Sequence, residues 1–399
     1  MSRLLEQVRQ FLVILLVVCG AALWGCVVEE EPVETPSDED LEALVALPYL
    51  SWSEEEADPE KLGVMVWDEE RAWPGFNLYT NDVNEAYLMD MSGRRLHTWT
   101  LPEKYTHCEH FELLAGGDIA IVCVGQALLR LDRDSNILWR LRKPVHHDVA
   151  HRDDGVFLVP RAGRSREYKG RRVGFDVVAF VEDGGEIIDN WRTWDHLEAL
   201  QELHWPTKID EPYKGPLPEK RHDYYHLNTV EILPDTLLGR QDDRFRAGNI
   251  LVCLRNVHLI LVLDQDTHEI TWSWGPGDVI FPHMPTMLEN GNILVYDNGV
   301  WEDRSRIIEL DPVTEEIVWL YEADPPESFF SKRRGSNQRL PNGNTLIAES
   351  EKGRVFEVTP DGEIVWEFWN PELSEKRRKR IYRFMRLSED EVRFLFRQR

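Results

Sequence analysis

Cysteine is nearly missing from the body of this 399-residue chain: Cys19 and Cys26 fall in the apolar N-terminal stretch, and only Cys108, Cys123 and Cys253 remain beyond it. An odd number is no disulfide framework, so three small buried thiols are expected, with a single Cys108–Cys123 bond as the alternative. No CxxC or HExxH pattern occurs, which removes the usual zinc arrangements, and no metal site is expected. No phosphate-cradling GxxxxGK[ST] loop or dinucleotide fingerprint is present either, so no nucleotide and no other cofactor is expected. Positive charge is also short, with 46 Lys and Arg against 72 Asp and Glu. A nucleic-acid partner needs a basic face and is therefore not expected. Helical periodicity is confined to His196–His204.

What is present begins with an export signal. Arg3 and Arg9 precede an apolar run from Phe11 to Trp24, followed by Leu23-Trp24-Gly25-Cys26. That box resembles the cleavage site of bacterial lipoproteins, in which the cysteine is acylated, and makes residues 1–26 a signal peptide. The alternative is an uncleaved anchor, since Phe11 to Val28 is just long enough to span a bilayer. Either way the body is expected outside the cytoplasm, in the periplasm or at the cell surface, attached to a membrane. The formal charge of −26 is half explained by Glu29–Glu60, which holds thirteen acidic residues, four prolines and no Lys or Arg. Residues 27–61 read as a solvated, self-repelling tether. The basic run Lys376–Arg380 reads as a solvated surface turn, with an anion or headgroup contact as the alternative.

Fifteen tryptophans organise the rest. Six segments share one pattern of alternating apolar residues, a polar turn, then an apolar pair leading to Trp99, Trp139, Trp191, Trp272, Trp319 and Trp366. Each copy reads as a hairpin whose tryptophan is buried where the outer strand meets a neighbouring sheet. A second hairpin precedes most copies, marked by Asn290-Gly291 and Asn342-Gly343 and more weakly by Gly116-Gly117 and Asp154-Gly155. Two hairpins give four strands per unit, which predicts an all-β, six-bladed β-propeller over residues 62–399. Five complete units run from Cys108 to Trp369. The opening hairpin Tyr87–Trp99 and a closing pair within Tyr382–Phe396 are expected to share the sixth blade, closing the ring without an open sheet edge.

The first strand of each blade lines the axis of such a ring. His147 and His283 stand eight positions before the turn glycines Gly155 and Gly291, and His226 holds the corresponding place before Leu227-Asn228-Thr229-Val230. Three blades thus put a histidine at one height. Arg255 follows the apolar strand Ile250–Leu254 and should reach the same funnel. Three imidazoles and a guanidinium suit a tetrahedral anion. Transfer of a sulfuryl or phosphoryl group asks mainly for positioning and charge stabilisation. One neutral imidazole could attack and hold the group, while another moves the proton.

These residues bring a family into view. Gly75-Phe76-Asn77-Leu78-Tyr79-Thr80, His146-His147-Asp148, His226-Leu227-Asn228-Thr229-Val230, Arg255-Asn256, Asp297-Asn298-Gly299 and Gly353-Arg354-Val355-Phe356-Glu357-Val358-Thr359 together resemble the bacterial arylsulfotransferases that use aryl sulfates as donors. The likeness covers about Gly75 to Phe384. It implies an extracytoplasmic six-bladed propeller in which His283 is transiently sulfated and passes the group to a phenol. His147, His226 and Arg255 would bind the sulfate oxygens and assist proton transfer, with an aryl sulfate and a phenol as small-molecule partners. The chain departs from the family at Pro282-His283-Met284-Pro285, where a carboxylate commonly follows the histidine. The insert Trp205–Asp223 is expected to loop over the funnel, as a lid or as decoration. The alternative to an enzyme is a non-catalytic, surface-tethered propeller binding a small anion, glycan or protein partner. A quinone-cofactor or metal-dependent propeller is disfavoured by the lack of acidic residues at the axis-lining positions.

Overall fold

A computed structural model describes residues 51–80, 83–215 and 221–396. The signal peptide, lipid-attachment box and most of the acidic tether expected above lie outside the described residues. Among those described, no helix is long and apolar enough to cross a membrane.

Six sheets of four or five strands, antiparallel but for one short strand, account for the blades, so the all-β six-bladed propeller expected from the repeat is what the chain forms. Blade 1 runs Cys108–Leu113, Ile119–Cys123, Ala127–Leu131 and Ile137–Leu141. Blade 2 comprises Ala150–His151, the long pair Phe157–Tyr168 and Arg171–Val181, and Ile187–Arg192; the short strand His222–Asp223 joins it in parallel at Val173–Gly174. Blade 3 is Leu227–Ile232, Ile250–Leu254, Leu259–Leu263 and Ile270–Trp274. Blade 4 is His283–Met287, Ile293–Asp297, Arg306–Leu310 and Ile317–Tyr321. Blade 5 is Ser336–Arg339, Thr345–Glu349, Arg354–Val358 and Ile364–Trp369, with Gly63–Trp67 added at its outer edge. Blade 6 takes its inner strand, Phe384–Leu387, from the C-terminal side and Phe76–Thr80, Glu85–Asp90 and Arg95–Thr100 from the N-terminal side. Where a closing pair was expected there is one strand, and Arg393–Leu395 forms a turn of 3-10 helix instead.

Alternation puts one set of side chains from each strand on each face of its sheet, and every face buries against the next blade. The apolar core is accordingly divided into six clusters, one between each neighbouring pair. Leu78, Leu88 and Leu387 of blade 6 meet Phe111, Ile121 and Leu129 of blade 1 in the cluster that joins the two ends of the repeat. At the Asn-Gly turn of blade 4, Gly291 has φ 91°, a conformation that side-chain-bearing residues avoid, and its N–H closes the turn on the Leu288 carbonyl at 2.9 Å.

The repeated tryptophans clasp one blade to the next. Trp99 Nε1 donates to the Gly117 carbonyl, Trp139 to Asp183 Oδ1, Trp272 to the Pro312 carbonyl, Trp319 to that of Pro360 and Trp366 to that of Met91, at 2.8–3.0 Å. Each bond leaves an outer strand and ends on a turn of the following blade, and contributes about 1 kcal/mol. Trp191 is the exception: its indole N–H has no partner and its ring stacks on His196 at 5.3 Å. Trp139 and Trp319 are only partly buried rather than fully so as expected, because their strands face solvent on the other side.

Three further expectations are corrected. Cys108 and Cys123 form a disulfide, because the register of the first two strands of blade 1 sets them directly opposite; among the described residues only Cys253 is a free thiol, and it is buried. Residues 51–61 belong to the folded body rather than to a tether. Ser53 N–H donates to the Arg378 carbonyl and Ala57 N–H to that of Lys376, both at 2.7 Å, and Arg380 N–H donates to the Ser51 carbonyl at 3.0 Å. For the same reason the basic run is no solvated turn: Arg378 and Arg380 are almost wholly buried, Arg378 bonds the Asn370 and Asp58 carbonyls, and Lys379 lies 5.1 Å from the ring centre of Trp52.

Candidate active site

His283 opens blade 4, and its surroundings decide where its proton sits. Nδ1 lies 2.6 Å from Asn298 Oδ1 and 3.1 Å from the Phe281 carbonyl. Asn298 is itself oriented, since its Nδ2 donates to the carbonyls of Ser331 at 2.6 Å and Arg334 at 2.9 Å, leaving only its oxygen for the imidazole. Both partners of Nδ1 are therefore acceptors, Nδ1 carries the hydrogen, and the neutral ring keeps its lone pair on Nε2. Burial, then the nearby charges of Arg255 and His226, hold the pKa of His283 well below the ordinary histidine value, against the opposing pull of the Asn298 bond.

His226 precedes the first strand of blade 3 and is treated differently. Its Nδ1 lies 2.5 Å from Asp223 Oδ2, and Asp223 arrives on the short strand that ends the insert. Burial disfavours a charged Asp223, but the His226 imidazole and its hydrogen bond outweigh that and hold the carboxyl ionised below its usual range. The insert therefore supplies part of the site rather than mere decoration.

His147 is backed through a neighbour. Its Nδ1 is 2.9 Å from Nδ1 of His146, whose Nε2 lies 3.4 Å from Asp176 Oδ1; Asp176 Oδ2 accepts from the Leu227 N–H at 3.1 Å. The rings of His147 and His226 meet edge to face with centres 4.5 Å apart. Burial first, then the charges of His226 and His146, hold the pKa of His147 well below its ordinary value. Both rings are presented from a left-handed backbone, φ 61° at His147 and 56° at His226, a conformation that costs a side-chain-bearing residue about 1 kcal/mol or more.

Arg255 follows the second strand of blade 3 on a turn of 3-10 helix. Its guanidinium carbon sits 4.5 Å from the centre of the Phe281 ring, Nη1 donates to Asn256 Oδ1 at 3.0 Å, and its buried Nε has no partner in the protein. Tyr382, buried, lies 6.5 Å from His147 and 4.3 Å from His110 between ring centres. Beneath it Asp148 accepts from Arg383 at 3.0 Å and from the Val230 N–H at 3.1 Å and lies 3.1 Å from His110, tying blades 1, 2 and 3 to the C-terminal segment.

The four residues singled out from the sequence come from blades 2, 3 and 4 and lie near one another: His147 and His226 are in ring contact, and His283 is close enough to Arg255, His226 and His147 for their charges to act on one another. Their partners were not singled out. Asn298 stood in view within Asp297-Asn298-Gly299, read there only as part of a family match. Asp223 and Asp176 carry no signal in the repeat, because one comes from the insert and the other from mid-strand, and the acidic residues judged missing from the axis stand just behind the histidines.

The comparisons with known proteins agree with this architecture. A family model described as arylsulfotransferase (ASST) matches residues 110–371, more than half of the chain. No curated protein matches the chain. Among solved structures, a protein of unknown function from Bacteroides caccae is 16% identical, with a TM-score of 0.51 over 77% of this chain and 97% of that one. A catalytically inactive virginiamycin B lyase from Staphylococcus aureus, solved with quinupristin, is 10% identical, with a TM-score of 0.45 over 78% of this chain and 87% of that one. At such identity the Bacteroides structure speaks for the fold alone. The span of the family match, laid over blades that carry the three histidines and Arg255, identifies the chain as a member of the arylsulfotransferase family.

Proposed function

We propose that this protein moves a sulfuryl group from an aryl sulfate to a phenolic acceptor through a sulfated His283, and that it works outside the cytoplasm, attached to a membrane by its N-terminal segment. The observation that supports the transfer most directly is the pair of acceptors facing Nδ1 of His283, Asn298 Oδ1 at 2.6 Å and the Phe281 carbonyl at 3.1 Å, which assigns the hydrogen to Nδ1. A neutral imidazole with its Nε2 lone pair free is a competent nucleophile without any prior proton removal.

In the first displacement Nε2 attacks sulfur, the S–O bond to the aryl group breaks, and the electron pair leaves on the aryl oxygen. The sulfated ring becomes cationic while its proton stays on Nδ1, donated to Asn298 Oδ1, an amide oxygen that accepts a stronger hydrogen bond but does not take the proton. Arg255 faces the transferring oxygens with the fork geometry that suits them. The departing phenolate takes a proton from the His226–Asp223 pair. In the second displacement an acceptor phenol gives its proton back to that pair, its oxygen attacks sulfur, and the N–S bond breaks to return the pair of electrons to Nε2. Asn298 supplies the orienting acceptor that Met284, the residue after His283, does not offer.

The test is to incubate the body with 4-nitrophenyl sulfate and phenol while following nitrophenolate release and a mass increase on the peptide bearing His283. Release and adduct that both vanish in His283→Ala are expected. Release that survives in that variant overturns the proposal, as does an intact fold with no release at all.

A further inference from the structure

A strip of aromatic rings runs outward from the histidine cluster on its Arg255 side. The Phe281 ring, under the Arg255 guanidinium, lies 4.7 Å from His258 between centres, and its N–H donates to His258 Nδ1 at 2.9 Å. His258 in turn lies 5.1 Å from Trp301, edge to face, and Phe281 lies 6.4 Å from Trp301. Phe281 is also the residue whose carbonyl holds Nδ1 of His283, so the inner end of the strip abuts the reacting atoms. Its outer end is open: Trp301 is 61% exposed.

The insert reaches the same place. Trp205 is 54% exposed, and its ring lies over Gly277, where an added Cβ would stand 3.4 Å from Cζ2. His204, whose Nδ1 is 2.8 Å from the Trp205 carbonyl, is close enough to His258 to disfavour its protonation. Burial first, then Arg255 and His204, push the pKa of His258 down to about 4. At neutral pH the strip is therefore uncharged along its whole length, although it starts at a guanidinium.

The geometry points to a binding site for the aromatic ring of the sulfate ester, formed by Phe281, His258 and Trp301 with Trp205 at its rim. It rests on the sulfotransfer reading and refines it, by stating which side of the funnel holds the aryl group and why aryl rather than alkyl esters fit. An aryl sulfate needs an anion fork and an aromatic wall side by side; Arg255 supplies the first, and the exposed Trp301, backed by His258 and Phe281, supplies the second. Edge-to-face and offset contacts with Trp301 then favour a flat ring over a flexible chain of the same size.

Trp301 is exposed, so its replacement leaves the fold standing. The experiment compares wild type, Trp301→Ala and Trp301→Phe with 4-nitrophenyl sulfate and with hexyl sulfate, measuring turnover and, separately, quenching of tryptophan fluorescence by each ester. The expected result is a KM for 4-nitrophenyl sulfate raised about 5–10-fold in Trp301→Ala, little change in kcat, no change for hexyl sulfate, and recovery in Trp301→Phe. Wild type that turns over while Trp301→Ala matches it on both esters overturns the aryl site and leaves the transfer chemistry intact. If wild type does not turn over, the transfer reading fails and the titration decides: quenching by 4-nitrophenyl sulfate that weakens in Trp301→Ala supports the aryl site, and unchanged quenching overturns it.

Discussion

In the proposed reaction the two sides of the site use the same side chain for opposite purposes. On the blade 4 side His283 is backed by a neutral amide, Asn298. On the blade 2 and blade 3 side the histidines are backed by carboxylates, His226 directly by Asp223 and His147 through His146 by Asp176. An amide acceptor fixes the tautomer without stabilising a cation, so the ring stays neutral and its lone pair stays available. A carboxylate acceptor, which His226 alone of the three meets directly, offers a partner through which a proton can be relayed, the part that the proposal gives it. Fold-level burial is shared by His283 and His147 and cannot separate their roles. What distinguishes them is the identity of one atom's partner.

The sharpest way to break this contrast is to exchange its poles. His283→Ala should abolish the protein-bound sulfuryl group and lower nitrophenolate release by about 10³-fold or more, read by single-turnover absorbance and intact mass. An adduct that persists on another histidine would invert the assignment. Next in size, Asp223→Asn should slow transfer from phenyl sulfate by about 10²-fold, yet slow 4-nitrophenyl sulfate by only a few-fold. Nitrophenolate leaves without help, and an ordinary phenolate does not. Equal losses on the two donors would show that Asp223 serves structure alone.

Asn298→Asp converts the amide pole into the carboxylate pole. The wild-type imidazole has its pKa depressed, so it remains neutral, and the first displacement remains fast, from pH 8 down through 6.5. The variant should favour the imidazolium and lose about tenfold between pH 8 and pH 6. A flat profile in the variant would remove the tautomer argument. The smallest effect is expected for Asp176→Asn, which touches His147 only through His146 at 3.4 Å: a few-fold fall in kcat with KM unchanged.

The ring itself was legible because each blade repeats one hairpin grammar, and Trp99 through Trp366 mark its cadence whatever lies between them. The four pocket residues were legible for the same reason: His147, His226 and His283 occupy related places before the turns, and Arg255 follows a second strand. Their partners escape because no repeat encodes them. Asp223 reaches His226 on an insert peculiar to blade 2, and the role of Asn298 is visible only once Ser331 and Arg334 fix its amide. The Cys108–Cys123 bond depends on cross-strand register, which spacing alone does not give. The run Lys376–Arg380 looks like a solvated patch until residues 51–58 lie along it and bury alternate guanidinium groups.

Trp191 gives the ring an uneven girdle. Five junctions are bolted by an indole N–H, whereas the one between blades 2 and 3 is joined instead by apolar packing, the Leu227 N–H on Asp176 and the His226–Asp223 contact. His147 stands on one bank of that junction and His226 on the other. A slight parting there would move His147 away from His226 and Arg255 while His283 and Asn298, both carried by blade 4, kept their spacing, so the one junction without an indole clasp runs through the half of the site to which the proposal assigns proton transfer and spares the half to which it assigns bond formation.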